Sequence, residues 1–189
     1  HTNDTHSQIV PVPKYENEGN TSCRGGFIRR VAVVNEERKK DPDLLLFDSG
    51  DFSQGSTYYT LFRGDVEVGL MNMMGYDAAT LGNHEFDYGT DVLASLLEKA
   101  DAQYLNSTIT YTGKGTNLLA STVPYVIERY GYLDVAFIGV STPESITKST
   151  PRYFKEGDEF VYDFAAGEDL YKTVQGVVDE VREKGADIV

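Results

Sequence analysis

The sequence predicts an α/β fold, on three observations. Segments with helical periodicity alternate with short apolar runs through most of the chain. One of those runs, Leu44–Phe47, is apolar at every position, as suits a strand covered on both faces of a parallel sheet. Late in the chain, Val123–Val140 reads as two strands around a turn at Tyr130–Asp134, an antiparallel hairpin that makes the sheet structure mixed.

From Gly25 to Lys40, apolar Phe27, Ile28, Val31 and Val34 fall on one helical face, and basic residues fill the last turn. Asp41-Pro42 stops that helix before the Leu44–Phe47 strand. The stretch "STYYTLF" (Ser56–Phe62) is read as core aromatics and receives no further role. "GDVEVGLMNMMGYD" predicts a helix ending near Gly75. "DAATLGNHEFD" reads as a short strand running into a polar loop. A helix then begins with Thr90 as its N-cap and runs through "TDVLASLLEKAD"; "AQYLNST" is the next strand. Finally, "GEDLYKTVQGVVDEVREKGADIV" is a long amphipathic helix, a glycine stop, and the start of a buried strand at Ala186–Val189. The opening "HTNDTH" has the character of a polar loop hanging from a strand end. Residues 1–189 are therefore expected to be a fragment of a longer protein.

The 189 residues suffice for one hydrophobic core. A net charge of -13 argues against a general nucleic-acid-polymer binder, which needs a basic surface to displace counterions. A small phosphate ester stays allowed, because divalent cations invert the local potential. The single cysteine, Cys23, excludes an internal disulfide framework and a cysteine zinc cluster. No apolar run has membrane-spanning length. Sequons at Asn3, Asn20 and Asn106 are short matches of low specificity.

Three polar clusters stand where strands should end: "NDTH" (Asn3–His6), "DSGD" (Asp48–Asp51) and "GNHEFD" (Gly82–Asp87). In open α/β sheets, loops at the carboxyl ends of strands converge on the ligand crevice. Asp4 and His6, two apart, point to one side of an extended segment and form a plausible half-set of metal ligands. Gly50 lets the chain turn tightly before Asp51, a carboxylate able to serve two cations. Asn83 offers a hard carbonyl oxygen. His84 follows it, and Asp87, three residues on, can reach back to the His84 ring and fix its tautomer. Glu85 reads as a solvated charge and Phe86 as a core aromatic. Each cluster alone is weak; D-x-H, then G-D, then G-N-H-[ED], in that order, is specific.

That combination resembles the metallophosphoesterase (calcineurin-like) superfamily, and more closely the amino-terminal catalytic domain of the 5'-nucleotidase and UDP-sugar hydrolase family. The matching text is "HTNDTH", "GGFIRR", "LLLFDSGDFSQGSTYYTLFRG", "MNMMGYDAATLGNHEFDYG", "PYVIERYG", "VAFIGVSTPES" and "EKGADIV", with Ser7–Ser22 and Thr142–Gly167 matching least. The resemblance implies a sandwich of mixed β-sheets flanked by helices, incomplete at the carboxyl end. It implies two divalent metal ions (Zn, Mn, Mg, Fe or Co), with Asp4 and His6 on the first, Asp51 bridging and Asn83 on the second. It makes His84 and Asp87 the catalytic pair, for hydrolysis of nucleotide phosphate esters by a metal-bridging hydroxide. A 2',3'-cyclic-nucleotide phosphodiesterase or a UDP-sugar hydrolase would show the same site. An extracytoplasmic location rests on the resemblance alone. The departure is that no histidine follows His84, so the remaining ligands and the substrate-binding domain are expected outside these residues. The rival from another class is a non-catalytic interaction module that kept the fold; it has no need of all six polar residues together.

Overall fold

The structure is a computed structural model that describes residues 1–13 and 23–189. The sequon at Asn20 lies outside the described residues. β1 (Val12–Pro13) and β2 (Cys23–Arg24) form a short antiparallel pair. α1 (Phe27–Lys40) follows, ending at Asp41 before Pro42. Its apolar stripe packs only in part: Phe27, Val31 and Val34 lie against the core, whereas Ile28, expected on the same face, is 81% exposed.

β3 (Phe47–Asp48) is shorter than the apolar run predicts, because Asp77 takes up the Leu46 backbone: the Leu46 amide donates to Asp77 Oδ2, and the Asp77 amide donates to the Leu46 carbonyl. α2 (Thr57–Phe62) is a six-residue helix that the sequence does not predict; the Ser56 hydroxyl caps it by accepting from the Tyr59 amide. α3 (Asp65–Met74) ends at left-handed Gly75, as the sequence predicts. β4 (Ala78–Thr80) leads through the polar loop to α4 (Thr90–Lys99). The cap of α4 is Gly89, not Thr90. Gly89 sits at φ +93, and the Thr90 hydroxyl instead donates to the Tyr153 carbonyl, so Thr90 is the first helical residue.

β5 (Gln103–Leu105), β6 (Ile109–Tyr111) and β7 (Thr122–Val123) follow. One four-stranded parallel sheet runs in the order β3-β4-β5-β7, with Phe47 opposite Ala78, Ala79 opposite Tyr104 and Leu105 opposite Val123. Its core contains Phe52, Met71, Leu81, Phe86, Leu93 and Phe154. Asn106 is buried just beyond β5, bonded to the Ile109 backbone in both directions, which closes it as a glycan site.

The predicted hairpin is β8 (Tyr125–Tyr130) and β9 (Leu133–Ile138), turning at Gly131-Tyr132. It forms its own two-stranded sheet, so the fold is mixed as a whole while the four-stranded sheet stays parallel. Phe47 stacks on Phe137 across the two, with ring centroids 3.6 Å apart. α5 (Glu144–Lys148) precedes the short antiparallel pair β10 (Lys155–Glu156) and β11 (Glu159–Phe160), and β12 (Tyr162–Phe164) pairs with β6. α6 (Gly167–Glu183) covers the hairpin, burying Val181 against Ala136 and Ala186, and Ile188 bridges Val135 in parallel. Among the described residues, no helix is long and apolar enough to cross a membrane.

Candidate metal centre

β3 and β4 are parallel, so the chain leaves both at one edge of the sheet. The amino-terminal segment lies along that edge. Thr2 bridges Asp48 in parallel, and the amides of Asp4, His6 and Ser7 donate to the carbonyls of Gly50 (3.0 Å), Asp51 (3.0 Å) and Phe52 (2.8 Å). All three polar clusters therefore meet at one place.

Asp4, His6 and Asp51 offer ligand atoms that lie within 4.8 Å of one another. Asp4 is exposed, and the other two are half-buried. His6 Nε2 is 3.6 Å from Asp4 Oδ1, while its buried Nδ1 has no hydrogen-bond partner among the described residues. Two carboxylates and an imidazole with an unengaged nitrogen are a donor set that fits a divalent cation. Asn83 stands at the start of the turn His84–Phe86 without a side-chain capping bond, half-buried and directly before His84.

His84 Nδ1 lies 2.8 Å from Asp87 Oδ2. The His84 amide donates to Asp51 Oδ1 at 2.9 Å, and the His84 ring stands edge-on to the His6 ring at 5.3 Å. The imidazole–carboxylate pair thus adjoins the ligand cluster. Its approach depends on two glycines. A Cβ on Gly50, at φ +94, would fall 2.4 Å from the Gly82 nitrogen, and one on Gly82 would fall 2.2 Å from Asp51 Oδ1.

Glu85 departs from expectation. It is 3% exposed rather than solvated. Its Oε2 accepts from the amides of Gly82 (2.7 Å) and Asp51 (2.9 Å), and its Oε1 from the amide (3.2 Å) and hydroxyl (2.9 Å) of Ser53. One carboxylate thereby clamps the loop that follows β3 to the loop that follows β4. Burial, with the Asp51 charge adding to it, pushes the Glu85 carboxyl up to about 7, against hydrogen bonds that favour the ion. Asp48 plays a similar part: it accepts from the Gly50 amide (2.9 Å) and the Thr2 hydroxyl (2.5 Å), and burial raises its pKa. Of the stretch read as core aromatics, Tyr58 and Phe62 are exposed; Tyr59 is buried, and its hydroxyl donates to the His84 carbonyl at 3.2 Å. No spacing in the sequence marks these three residues; the one signal for Glu85 is its place between His84 and apolar Phe86.

A groove of about 720 Å³ opens between α1 and Leu44–Leu46. It touches the ligand cluster only at Asp4.

The calcineurin-like phosphoesterase family model matches residues 1–177. The chain is 35% identical over 159 residues to a snake venom 5'-nucleotidase of Gloydius brevicauda, covering 82% of this chain and 27% of that protein. It is 32% identical over 185 residues to the 5'-nucleotidase of Bos taurus, covering 96% and 31%. The solved 5'-nucleotidase precursor of Thermus thermophilus superimposes with a TM-score of 0.82 at 29% identity, covering 100% of this chain and 35% of that one. The chain thus spans about a third of the length of the proteins it matches.

Proposed function

The chain belongs to the calcineurin-like phosphoesterase family, and on that premise we propose that the protein is a 5'-nucleotidase-like hydrolase of nucleotide phosphate esters. The observation that carries this reading is the convergence of Asp4, His6 and Asp51 donors within 4.8 Å beside the His84–Asp87 pair. In this reading Asp4 and His6 hold one divalent cation, Asp51 is shared, and Asn83 serves a second. When bound, the cations polarise phosphate oxygens and lower the pKa of bound water.

The protein's own groups orient and move protons. The bond from the His84 amide to Asp51 fixes the imidazole relative to the ligand cluster. Asp87 engages Nδ1 and sets the tautomer, which leaves Nε2 for the substrate. From Nε2, His84 gives a proton to the leaving oxygen or hydrogen-bonds the phosphoryl oxygens. Four ligands are few for two cations. We therefore place the remaining ligands, and the domain that recognises the nucleoside, outside these residues. Cyclic-nucleotide or UDP-sugar hydrolysis would use the same centre and differ in that recognition. The snake venom relative supports an extracytoplasmic location.

The test is metal content and phosphate release from nucleoside 5'-monophosphates by the full-length protein. His84→Asn is expected to lower turnover about 10²–10⁴-fold with metal content unchanged. Asp51→Asn is expected to lose metal and activity together. Wild-type protein that binds no divalent cation, or hydrolyses no phosphate ester with Zn, Mn or Mg present, would refute the reading. Metal loss in His84→Asn would refute the division of roles.

A further inference from the structure

A buried carboxylate on α3 reaches the segment that carries Asp4 and His6. We propose that Glu67 is a positioning residue for the metal centre, anchoring Ser7 and thereby holding the adjacent His6 in the ligand cluster. The proposal rests on the reading of Asp4, His6 and Asp51 as metal ligands.

Glu67 is 5% exposed and Ser7 3% exposed. The Ser7 hydroxyl donates to Glu67 Oε1 and is also bonded to the Ser56 hydroxyl. The Ser56 hydroxyl in turn accepts from the Tyr59 amide at 3.3 Å. An amide only donates and a carboxylate only accepts, so the two hydroxyls between them must point one way, each donating towards Glu67. The chain runs from the Tyr59 amide through Ser56 and Ser7 to Glu67. Since the Tyr59 hydroxyl bonds the His84 carbonyl, α2 joins this chain to the second loop of the site.

Ser7 and His6 both need holding. Their φ values are +52 and +43, left-handed backbone that non-glycine residues keep only when their surroundings fix it. The backbone of Ser7 is tied to Phe52, and its side chain is tied to α3. A space-filling residue at position 67 would be apolar, like its neighbours Phe52, Met71 and Met74 around a cavity of about 20 Å³. Instead Glu67 Oε2 is buried with no hydrogen-bond partner among the described residues, a local cost that an apolar side chain would avoid. An acid kept at such a cost points to placement of the loop rather than to packing.

The experiment compares Glu67→Leu, Ser7→Ala and Glu67→Gln with wild type in the full-length protein. It reads hydrogen–deuterium exchange of peptides spanning residues 2–12, and Mn²⁺ affinity by calorimetry. Glu67→Leu and Ser7→Ala are expected to speed exchange in those peptides, leave the β8–β9 peptides unchanged, and weaken Mn²⁺ binding about 10-fold or more. Glu67→Gln keeps an acceptor oxygen and is expected to restore both readouts towards wild type. Unchanged exchange in Ser7→Ala, which removes a single hydroxyl and decides the matter if Glu67→Leu does not fold, would overturn the proposal. Damage by Gln equal to that by Leu would overturn it too. If wild type binds no Mn²⁺, the metal reading falls, and exchange alone decides whether Glu67 anchors the loop.

Discussion

The loops at the carboxyl edge of the parallel sheet and the β8–β9 hairpin under α6 hold their shapes by different means. In the loops, Asp4, His6, Ser7, Asp51 and Gln54 adopt left-handed φ; among the described residues Arg63 is the only other non-glycine to do so. That backbone is held by buried carboxylates, with Asp48 and Glu85 accepting from main-chain amides and Glu67 from a side-chain hydroxyl. The hairpin pairs in unbroken register from Tyr125–Ile138 to Tyr130–Leu133, turns at a glycine, and rests on Ala136, Val181 and Ala186. Its shape follows from side-chain volume, which several residues can supply. The loops depend on these carboxylates together with the backbone bonds from Asp4, His6 and Ser7 to Gly50, Asp51 and Phe52. Strain gathered in one place and held by polar contacts is how functional loops differ from packed elements.

The contrast breaks most sharply at Gly82. An alanine there would put a Cβ 2.2 Å from Asp51 Oδ1 and 2.7 Å from the Asp51 nitrogen, so one loop must move. A displacement of about 1 Å at a reacting centre costs about 10² in rate, and Gly82→Ala is expected to lose at least that together with bound metal. Full metal occupancy and near-normal turnover in this variant would show that the two loops do not depend on their close approach.

Glu85→Gln is the next step down. A carboxamide has one acceptor oxygen, whereas Glu85 accepts four hydrogen bonds through two. Its NH₂ would face N–H donors at one end and leave them unpaired in the interior. The expected loss is about 2–4 kcal/mol in chemical denaturation, with metal affinity falling alongside. A stability within about 0.5 kcal/mol of wild type would mean that the loops rest on something else. At the other region, Val181→Ala is expected to cost about 2 kcal/mol by leaving a cavity under the hairpin. Metal content should not change, and a change would mean that the regions are coupled.

The same contrast explains what was legible in the sequence. α3, α4, α6 and the hairpin were readable because periodicity and turn residues act within one element. The place where Asp51 and His84 meet was approachable because their clusters follow β3 and β4, and Asp4 and His6 join them because their segment follows Thr2, which bridges Asp48. α2 escaped because six residues carry too little periodicity to register, and Ile28 because a stripe shows which face is apolar, not how far a neighbour covers it. Glu85 and Glu67 escaped for a deeper reason. Three of the four donors to Glu85 lie on Asp51 and Ser53, 34 and 32 positions away, and the Glu67 partner Ser7 lies 60 away, so little in the local sequence distinguishes either acid from a solvated charge. Acceptors for strained loops become visible only once the fold brings the donors to them.

The smallest effect should come from a glycine in the hairpin. Gly131, at φ +61, forms its tip, and a Cβ added there meets nothing within 4 Å. Gly131→Ala carries only the backbone cost of a left-handed alanine, about 1 kcal/mol, with metal binding and turnover unchanged. Gly82→Ala and Gly131→Ala therefore make an instructive pair: the same methyl group, crowded against the Asp51 carboxylate in one case and open to solvent in the other. If both variants lose no more than about 1 kcal/mol and keep their metal, the loops tolerate separation and glycine at position 82 is not required for contact. If only the first loses metal, contact between the loops is what the metal centre requires.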